Sequence, residues 1–459
     1  MSWLGTFDSL TNDNSSLVED KNHSMQCFFF CHFSHSFLYT NSSTNSRLNN
    51  MKLSHAISMP ILNKDCDENS PLSSNVRLAR TGSTICLSDL DNDSTYSNQV
   101  QRHVGYKKVL VTGGAGFIGS HVAEYLLARG DDVVIVDEMN DYYDVRIKKS
   151  NIALLRQLYP DNRRLSIYYG DICDADFMES VFEKELPQWV CHMAARAGVR
   201  PSIQDPYIYI HSNIRGTTHL MELSHKFGIQ NFVFASSSSV YGDSKSTFFS
   251  EDEVVDNPVS PYAASKKACE LLAYTYHHLY QLNTTALRFF TVYGPRGRPD
   301  MAPFKFLDRV SRGVEIQQFG DGSSSRDYTY IDDIVDGIVR AIDHRHKYEI
   351  FNIGKGDGTS LKEFIDLVQK YTNKKAIVKI LPDQPGDVPY TCADITKASR
   401  LLGYRSKVSF EEGIRRTAEW YKEAYNKKKI EVCPEMQANG LGRAASFTDL
   451  KDALTAVSS

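Results

Sequence analysis

A glycine-rich loop between two apolar runs, in the stretch VLVTGGAGFIGSHVAEYLLARGDDVVIVD at residues 109–137, most constrains the fold of this chain. The two runs have the length and β-branched content of buried strands, and the segment between them has the pattern of a helix. Glycines where the strand ends and the helix begins permit a tight turn and a close approach of the backbone to a pyrophosphate. The chain fits both G-x-G-x-x-G and G-x-x-G-x-x-G there. The stretch therefore predicts a dinucleotide site at Gly113, Gly114, Gly116 and Gly119, with Phe117 and Ile118 at the start of the helix.

Acidic residues at the ends of the next two strands bear on the choice of dinucleotide. Asp137 ends the second strand, 18 residues after Gly119. A carboxylate there accepts hydrogen bonds from the adenosine ribose and repels a 2′-phosphate, so the sequence favours NAD over NADP. Asp171 and Ile172 follow the third strand, where the aspartate would reach the adenine. A turn or helix-capping aspartate is the alternative interpretation of Asp171.

The alternation of apolar runs and helical patterns predicts an α/β fold. Runs of strand length occur at KVLVT, DVVIV, LSIYYG, QWVCHM, NFVFAS and TTALRFF, and helical patterns fill most of the intervals. Continuous apolar strands that alternate with helices are typical of a Rossmann-type, doubly wound parallel sheet. We expect the NAD-binding domain at 106–294 and a smaller, interleaved C-terminal substrate-binding lobe at 295–425, with helices at KEFIDLVQKY and FEEGIRRTAEWYKEAY.

The two ends of the chain differ in composition from this core. Residues 1–105 are rich in Ser, Asn and Asp, so we expect them to be mostly disordered, and we expect the same of 426–459. Residues 27–39 form a short aromatic run that contains two His and two Ser. A membrane span needs about 20 apolar residues, so membrane association through this run, at the Golgi for example, is the less favoured alternative to a cytoplasmic protein.

Charge and cysteine content exclude several classes of function. The net charge of −4 gives no indication of nucleic-acid binding. The nine cysteines are odd in number and show no pair of zinc-site spacings, so we expect reduced thiols and no metal.

A tyrosine and a lysine one helical turn apart, Tyr262 and Lys266, suggest redox chemistry beside the cofactor. A phenol is a poor base at neutral pH because its ordinary pKa is about 10. We expect the neighbouring ammonium and the positive nicotinamide to lower that pKa. The segment FASSSSVYG at the end of another strand offers hydroxyls that could share the substrate proton. A surface Tyr–Lys pair is the alternative.

These motifs together resemble the extended short-chain dehydrogenases/reductases that act on nucleotide sugars, and among them most closely the UDP-glucuronate 4-epimerases. The resemblance covers about 107–425 and rests on VTGGAGFIGSHV, DEMNDYYDVRIKK, AARAGVRPSI, SSSSVYG, YAASKKACE, RFFTVYGPRGRPDMAPFKF, RDYTYIDDI and QPGDVPYTCAD. It implies Ser237 as the catalytic serine, Tyr262 as the base and Lys266 as its partner and nicotinamide-ribose ligand. It also implies that Ala194 and Ala195 face the cofactor and that the protein is a homodimer.

The resemblance also implies a substrate. Related dehydratases and decarboxylases carry acidic residues just after the catalytic serine, whereas this chain has Ser238 and Ser239. That difference favours epimerisation. Thr291 and Arg298 would hold a sugar carboxylate, since a guanidinium offers it two donors in a fork. The expected nucleotide ligands are Arg326 for the diphosphate, Asp387 for the uridine ribose and, more weakly, Lys305.

The expected reaction is therefore the interconversion of UDP-glucuronate and UDP-galacturonate, by C4 oxidation and hydride return on a permanently bound NAD. One departure concerns Arg196, which stands where the relatives usually have Gln in AAQAGVR. The alternatives are a 4-epimerase of UDP-galactose and UDP-glucose, a UDP-glucuronate decarboxylase, and an NAD-sensing scaffold whose tails are regulated.

Overall fold

A seven-stranded sheet forms the centre of the computed structural model, which describes residues 107–160, 163–382 and 390–426. The spatial order is β10-β6-β5-β4-β1-β2-β3, and every neighbouring pair is parallel. Its strands are β1 (Lys108–Thr112), β2 (Asp132–Asp137), β3 (Leu165–Tyr169), β4 (Trp189–His192), β5 (Asn231–Ser237), β6 (Thr284–Phe289) and β10 (Tyr348–Ile353). The predicted Rossmann-type sheet is confirmed, and each of the six predicted strands is present.

Helices cover both faces of this sheet. Along β1, Val109 and Val111 belong to one hydrophobic cluster and Leu110 belongs to the other, so the strand is buried on both sides. This explains why its sequence is continuously apolar rather than alternating. The helices between the strands are α1 (Phe117–Arg129), α2 (Val145–Leu158), α3 (Ala175–Glu185), α4 (Val199–Gln204), α5 (Pro206–Tyr209), α6 (Gly216–Lys226) and α7 (Pro261–Tyr280). A π-helical turn (Ile210–Arg215) precedes α6, and a 3₁₀ turn (Ser238–Tyr241) follows β5.

Two small sheets and several helices complete the C-terminal part. One sheet has the order β11-β9-β7 and the other pairs β12 with β8. The two helices predicted here are confirmed as α10 and α12. The elements are β7 (Thr291–Tyr293), α8 (Ala302–Arg312), β8 (Ile316–Phe319), β9 (Ser325–Tyr330), α9 (Ile331–Asp343), β11 (Gly358–Ser360), α10 (Leu361–Thr372), β12 (Val378–Leu381), α11 (Thr396–Leu402) and α12 (Phe410–Asn426).

The chain interleaves the two parts, because β10 at Tyr348–Ile353 returns to pair with β6 in the main sheet. The boundary expected at 294/295 stays a prediction. Among the described residues, no helix combines the length and apolar character needed to cross a bilayer. The expectations for 1–105, including the aromatic run at 27–39, and for 427–459 concern residues outside those that the structure describes.

Candidate active site

A cavity of about 590 Å³ is lined by the loops that follow the strands of the main sheet at their C-terminal ends. This is the edge at which open α/β sheets bind ligands. Most of the residues that the sequence singles out line this one cavity. They are Gly113, Gly116, Phe117, Ile118, Gly119, Asp137, Asp171, Ile172, Ala194, Ala195, Ser237, Tyr262, Lys266, Thr291, Arg298 and Arg326.

The glycine loop leaves no room for side chains at two positions. Gly113 has a left-handed φ of +67°, and a Cβ atom there would lie 2.8 Å from the backbone of Ala194. A Cβ atom at Gly119 would collide with the carbonyl oxygen of Gly113. Glycine therefore brings the ends of β1 and β4 and the first turn of α1 into backbone contact. The open cradle above this turn fits the pyrophosphate of a dinucleotide.

Asp137 lines the cavity and also holds the glycine loop in position. Its carboxylate accepts hydrogen bonds from the backbone N–H of Ala115 at 3.1 Å and of Met139 at 2.9 Å. It therefore fixes the glycine loop to the end of β2. The buried Nζ of Lys148 lies 3.5 Å from the same carboxylate and also lines the cavity. Lys148 is a candidate that sequence reasoning missed, since a lysine inside an amphipathic helix gives no local signal.

Asp171 combines the two interpretations that its sequence position allows. It lines the cavity, and its carboxylate also accepts from the backbone N–H of Cys173 at 2.9 Å, as a turn aspartate does. The ring Nε2 of His211 lies 2.9 Å from its second oxygen. Asp171, Cys173 and His211 place ligand-type atoms within 4.8 Å of one another. Burial raises the pKa of the Cys173 thiol to about 12, which favours the thiol over a metal-binding thiolate.

The candidate catalytic residues meet where β5 ends and α7 begins. Ser260 caps α7 by accepting from the N–H of Ala263 at 3.1 Å, and this start places Tyr262 in the first turn. Ser237, at the end of β5, lines the same cavity as Tyr262, and its hydroxyl lowers the pKa of the Tyr262 phenol. The Nζ of buried Lys266 donates to the carbonyl oxygen of Ala235 at 2.7 Å.

The pKa of Tyr262 is shifted against the expected direction. Burial raises it above its ordinary value, while the Ser237 hydroxyl and the charge of Arg298 lower it by less. Burial also lowers the pKa of Lys266. The expectation that the Lys266 ammonium and the positive nicotinamide together lower the Tyr262 pKa stays a prediction, and burial is the effect that they would have to overcome.

Thr291 and Arg298 follow β6 in the chain, and both line the cavity. Thr291 begins β7, and the Arg298 guanidinium donates to the Asp300 carboxylate at 3.0 and 2.6 Å. The Arg298 guanidinium carbon also lies 5.1 Å from the ring centroid of Tyr142. Sequence reasoning missed Asp300 and Tyr142. Tyr142 belongs to the loop after β2, which is separated from β6 in the sheet by β1, β4 and β5.

The structure supports a place at the cavity for only one of the three residues that we expected to bind the nucleotide. Arg326 is the second residue of β9, next to Ser325, and it lines the cavity. Lys305 is exposed on α8 and does not line the cavity. Arg200, which sequence reasoning missed, lines the cavity, and its guanidinium carbon lies 4.9 Å from the ring centroid of Phe319. Asp387 lies outside the residues that the structure describes.

The sequence matches the family described as GDP-mannose 4,6 dehydratase over residues 110–417. The chain belongs to this family. A curated relative, the UDP-glucuronate 4-epimerase of Thermodesulfobacterium geofontis, is 45% identical over 315 residues, which cover 68% of this chain and 96% of the relative.

Two solved structures also resemble the chain. The UDP-glucuronic acid 4-epimerase from Bacillus cereus, in complex with UDP-glucuronic acid and NAD, matches with a TM-score of 0.65 at 36% identity, covering 69% of this chain and 100% of that one. The UDP-glucose 4-epimerase of Thermotoga maritima, with UDP-glucose, matches with a TM-score of 0.63 at 35% identity, covering 69% and 99%. One of these two structures therefore holds an acidic sugar nucleotide and the other a neutral one.

Proposed function

We propose that the protein is an NAD-dependent isomerase that interconverts UDP-glucuronate and UDP-galacturonate at C4 of the sugar. The observation that carries this proposal is the placement of Ser237, Tyr262 and Lys266 in the same cavity as Thr291 and Arg298. The first three are suited to proton transfer at a sugar hydroxyl, and the last two are suited to a sugar carboxylate. The similarity to UDP-glucuronate 4-epimerases supports the same assignment.

The cofactor would be held by the glycine loop at its pyrophosphate and by Asp137 at its adenosine ribose. Lys266 and the backbone around Ala194 would face its nicotinamide end. When bound there, NAD supplies the acceptor for the C4 hydride and gives that hydride back. The reaction leaves no net redox change, so we expect the cofactor to stay bound from one turnover to the next.

Tyr262 would remove the proton from the C4 hydroxyl and return it at the end of the cycle. The Ser237 hydroxyl lowers the pKa of the phenol and so favours the phenolate form. Arg298 acts in the same direction through its charge. A positive nicotinamide beside the phenol would add to both effects, and together they would oppose the effect of burial.

The positions that follow Ser237 favour epimerisation over elimination. Among the described cavity residues, the carboxylates are Asp137, Glu138, Asp171 and Asp300, and none of them lies on the 3₁₀ turn after β5. That turn carries the hydroxyls of Ser238 and Ser239 instead. An elimination needs an acid and a base at the carbons next to C4. Removal and return of a hydride at C4 needs no acid or base at those neighbouring carbons.

Arg298 and Thr291 would have a second role, which is to prevent loss of CO₂. A 4-keto uronic acid is a β-keto acid, and it loses CO₂ when the bond to the carboxylate aligns with the ketone. A fork of two guanidinium donors holds a carboxylate in one plane, and the Thr291 hydroxyl would provide a further contact. For this role the Arg298 guanidinium must exchange its present contact with Asp300 for the substrate.

The second candidate is a 4-epimerase of neutral UDP-sugars, which the similarity to the Thermotoga maritima enzyme favours. Incubation of the purified protein with UDP-glucuronate or UDP-glucose, without added NAD, followed by NMR of the products, separates the candidates. UDP-galacturonate supports the proposal, a strong preference for UDP-glucose supports the second candidate, and UDP-xylose indicates a decarboxylase. Any turnover contradicts a purely regulatory scaffold.

We also propose a cytoplasmic homodimer. On α7, Leu271, Tyr274 and Leu279 are 58%, 53% and 59% exposed, whereas Cys269 and Ala273 are buried. The outer face of the helix is therefore free to pair with a second copy. Sedimentation at micromolar concentration tests the dimer, and Leu271→Lys should shift it to monomer. The four described cysteines are buried and reduced, as in a reducing compartment, which cell fractionation would test.

A further inference from the structure

Arg196 stands at a rigid position above the end of β4. The side chain of Asn213, on the π-helical turn, binds both backbone groups of Arg196: it accepts from the N–H at 2.8 Å and donates to the carbonyl at 2.9 Å. The Asn213 amide also donates to the hydroxyl of Ser265 on α7 at 2.9 Å. The backbone of Arg196 is therefore fixed to the helix that carries the candidate catalytic residues.

The side chain of Arg196 forms an ion pair with Glu138. The Nη2 atom lies 3.0 Å from the Glu138 carboxylate, and the two side chains are only 12% and 32% exposed. The guanidinium carbon also lies 5.5 Å from the Tyr142 ring centroid. The Nε atom of Arg196 is buried and has no hydrogen-bond partner among the described residues. Its donor is therefore unsatisfied, at a residue that lines the cavity.

The strand order shows that the Arg196–Glu138 ion pair spans the end of β1. Glu138 follows β2 and Arg196 follows β4, and these strands flank β1 on its two sides. The glycine loop lies at the end of β1, between them. A dinucleotide that extends from Asp137, beside β2, to Tyr262, beside β5, must pass over the same point with its pyrophosphate.

We propose that the Arg196–Glu138 ion pair is a strap that closes over the dinucleotide and retains it between turnovers. This inference rests on the proposed function, since only a cofactor that is regenerated in place needs retention. With Nη2 on Glu138, the unsatisfied Nε of Arg196 would gain a partner if it turned towards the bound dinucleotide. The glutamine that relatives usually have here is shorter and uncharged, so it cannot form this ion pair.

Retention of NAD, measured without any turnover, tests the strap. The protein is loaded with radiolabelled NAD and chased with an excess of unlabelled NAD, and the label that remains bound is followed with time. We expect Arg196→Gln and Glu138→Gln each to accelerate the release of label about tenfold, equivalent to 1.4 kcal/mol. The double variant should be no faster than the single ones, because both remove the same ion pair. Release from the unaltered protein should accelerate with salt, and release from the variants should not.

Arg312→Gln provides the matched control. It removes a partly exposed arginine that pairs with Asp308 at 2.8 Å on α8, outside the cavity lining. Its NAD release should equal that of the unaltered protein, and all variants should keep the same unfolding midpoint. Unchanged release in both strap variants contradicts the strap alone, and so does slower release in Glu138→Gln, which would mean that Glu138 competes with the cofactor for Arg196. A protein that binds no NAD at all contradicts the proposed function as well.

Discussion

The carboxylate of Glu270 and the guanidinium of Arg288 form a bidentate ion pair, with both N–O distances at 2.9 Å, in the buried interface between α7 and the sheet. The hydroxyl of Ser236 donates to the same carboxylate at 2.6 Å. Ser236 immediately precedes Ser237, and Glu270 lies one turn after Lys266. The pair therefore links β5, β6 and α7 at the point where the candidate catalytic residues meet.

Removal of Glu270 should destabilise the protein strongly. Glu270→Ala leaves the Arg288 charge buried without its partner, which costs about 3–5 kcal/mol in comparable buried pairs. Urea unfolding of the variant measures the loss of free energy. The matched control is Glu419→Ala, on the exposed side of α12, for which the change should stay within about 0.5 kcal/mol. Equal effects of the two substitutions would contradict a structural role for the buried pair.

Removal of the Ser237 hydroxyl should shift the pH dependence of the reaction to higher pH. The Tyr262 phenol must ionise to act as a base, so kcat/KM rises as the pH approaches its pKa. The Ser237 hydroxyl lowers that pKa, and burial raises it. Ser237→Ala therefore raises the pKa, and the rising limb of the pH profile moves upward. A limb that stays in place or moves downward would show that Tyr262 is not the titrating base.

The parts of this site that sequence predicts are those whose signal is local. The glycine loop, Asp137 and the Tyr262–Lys266 pair each lie within one strand–loop–helix unit, so spacing alone indicates their arrangement. The ion pair between Arg196 and Glu138 joins residues 58 positions apart. It exists only because β2 and β4 both flank β1, and no local pattern carries that information.

The sequence does not predict the short strands or the pKa of Tyr262, and the reasons are physical. Strands such as β7 and β11 have three residues each, too few for a periodicity, and only pairing with β9 defines them. The Tyr262 pKa depends on how completely the folded protein excludes water from the phenol. A neighbour on the same helix face does not determine that.

Arg298 should determine the preference for an acidic sugar. Arg298→Gln removes the paired donors for the carboxylate, and hydrogen bonds to charged groups contribute about 1.5–3 kcal/mol. We therefore expect kcat/KM for UDP-glucuronate to fall about 10- to 150-fold, with a much smaller change for UDP-glucose. Asp300→Asn is the companion variant, since it weakens the contact that Arg298 must leave, and it should not lower kcat/KM for UDP-glucuronate. Equal losses on both substrates in Arg298→Gln would contradict a carboxylate contact.

Asp137 should determine the choice between NAD and NADP. Asp137→Ser removes the carboxylate that repels a 2′-phosphate, and the cation of Lys148 remains 3.5 Å from that position. NADH fluorescence titrations should show weaker NADH binding and an NADPH affinity that approaches it. The matched control is Asp144→Ser, at the N-terminus of α2, which should leave the ratio of the two affinities unchanged. An unchanged ratio in Asp137→Ser would mean that another residue excludes the phosphate.

The central claim is that a hydride leaves C4 and returns to it on a cofactor that never leaves the protein. Incubation of the purified protein with UDP-glucuronate deuterated at C4, without added NAD, tests it most directly by NMR and mass spectrometry of the product. We predict UDP-galacturonate that retains the deuterium at C4, and no product from Tyr262→Phe. Loss of the deuterium to solvent, or a requirement for added NAD in the unaltered protein, would contradict the account.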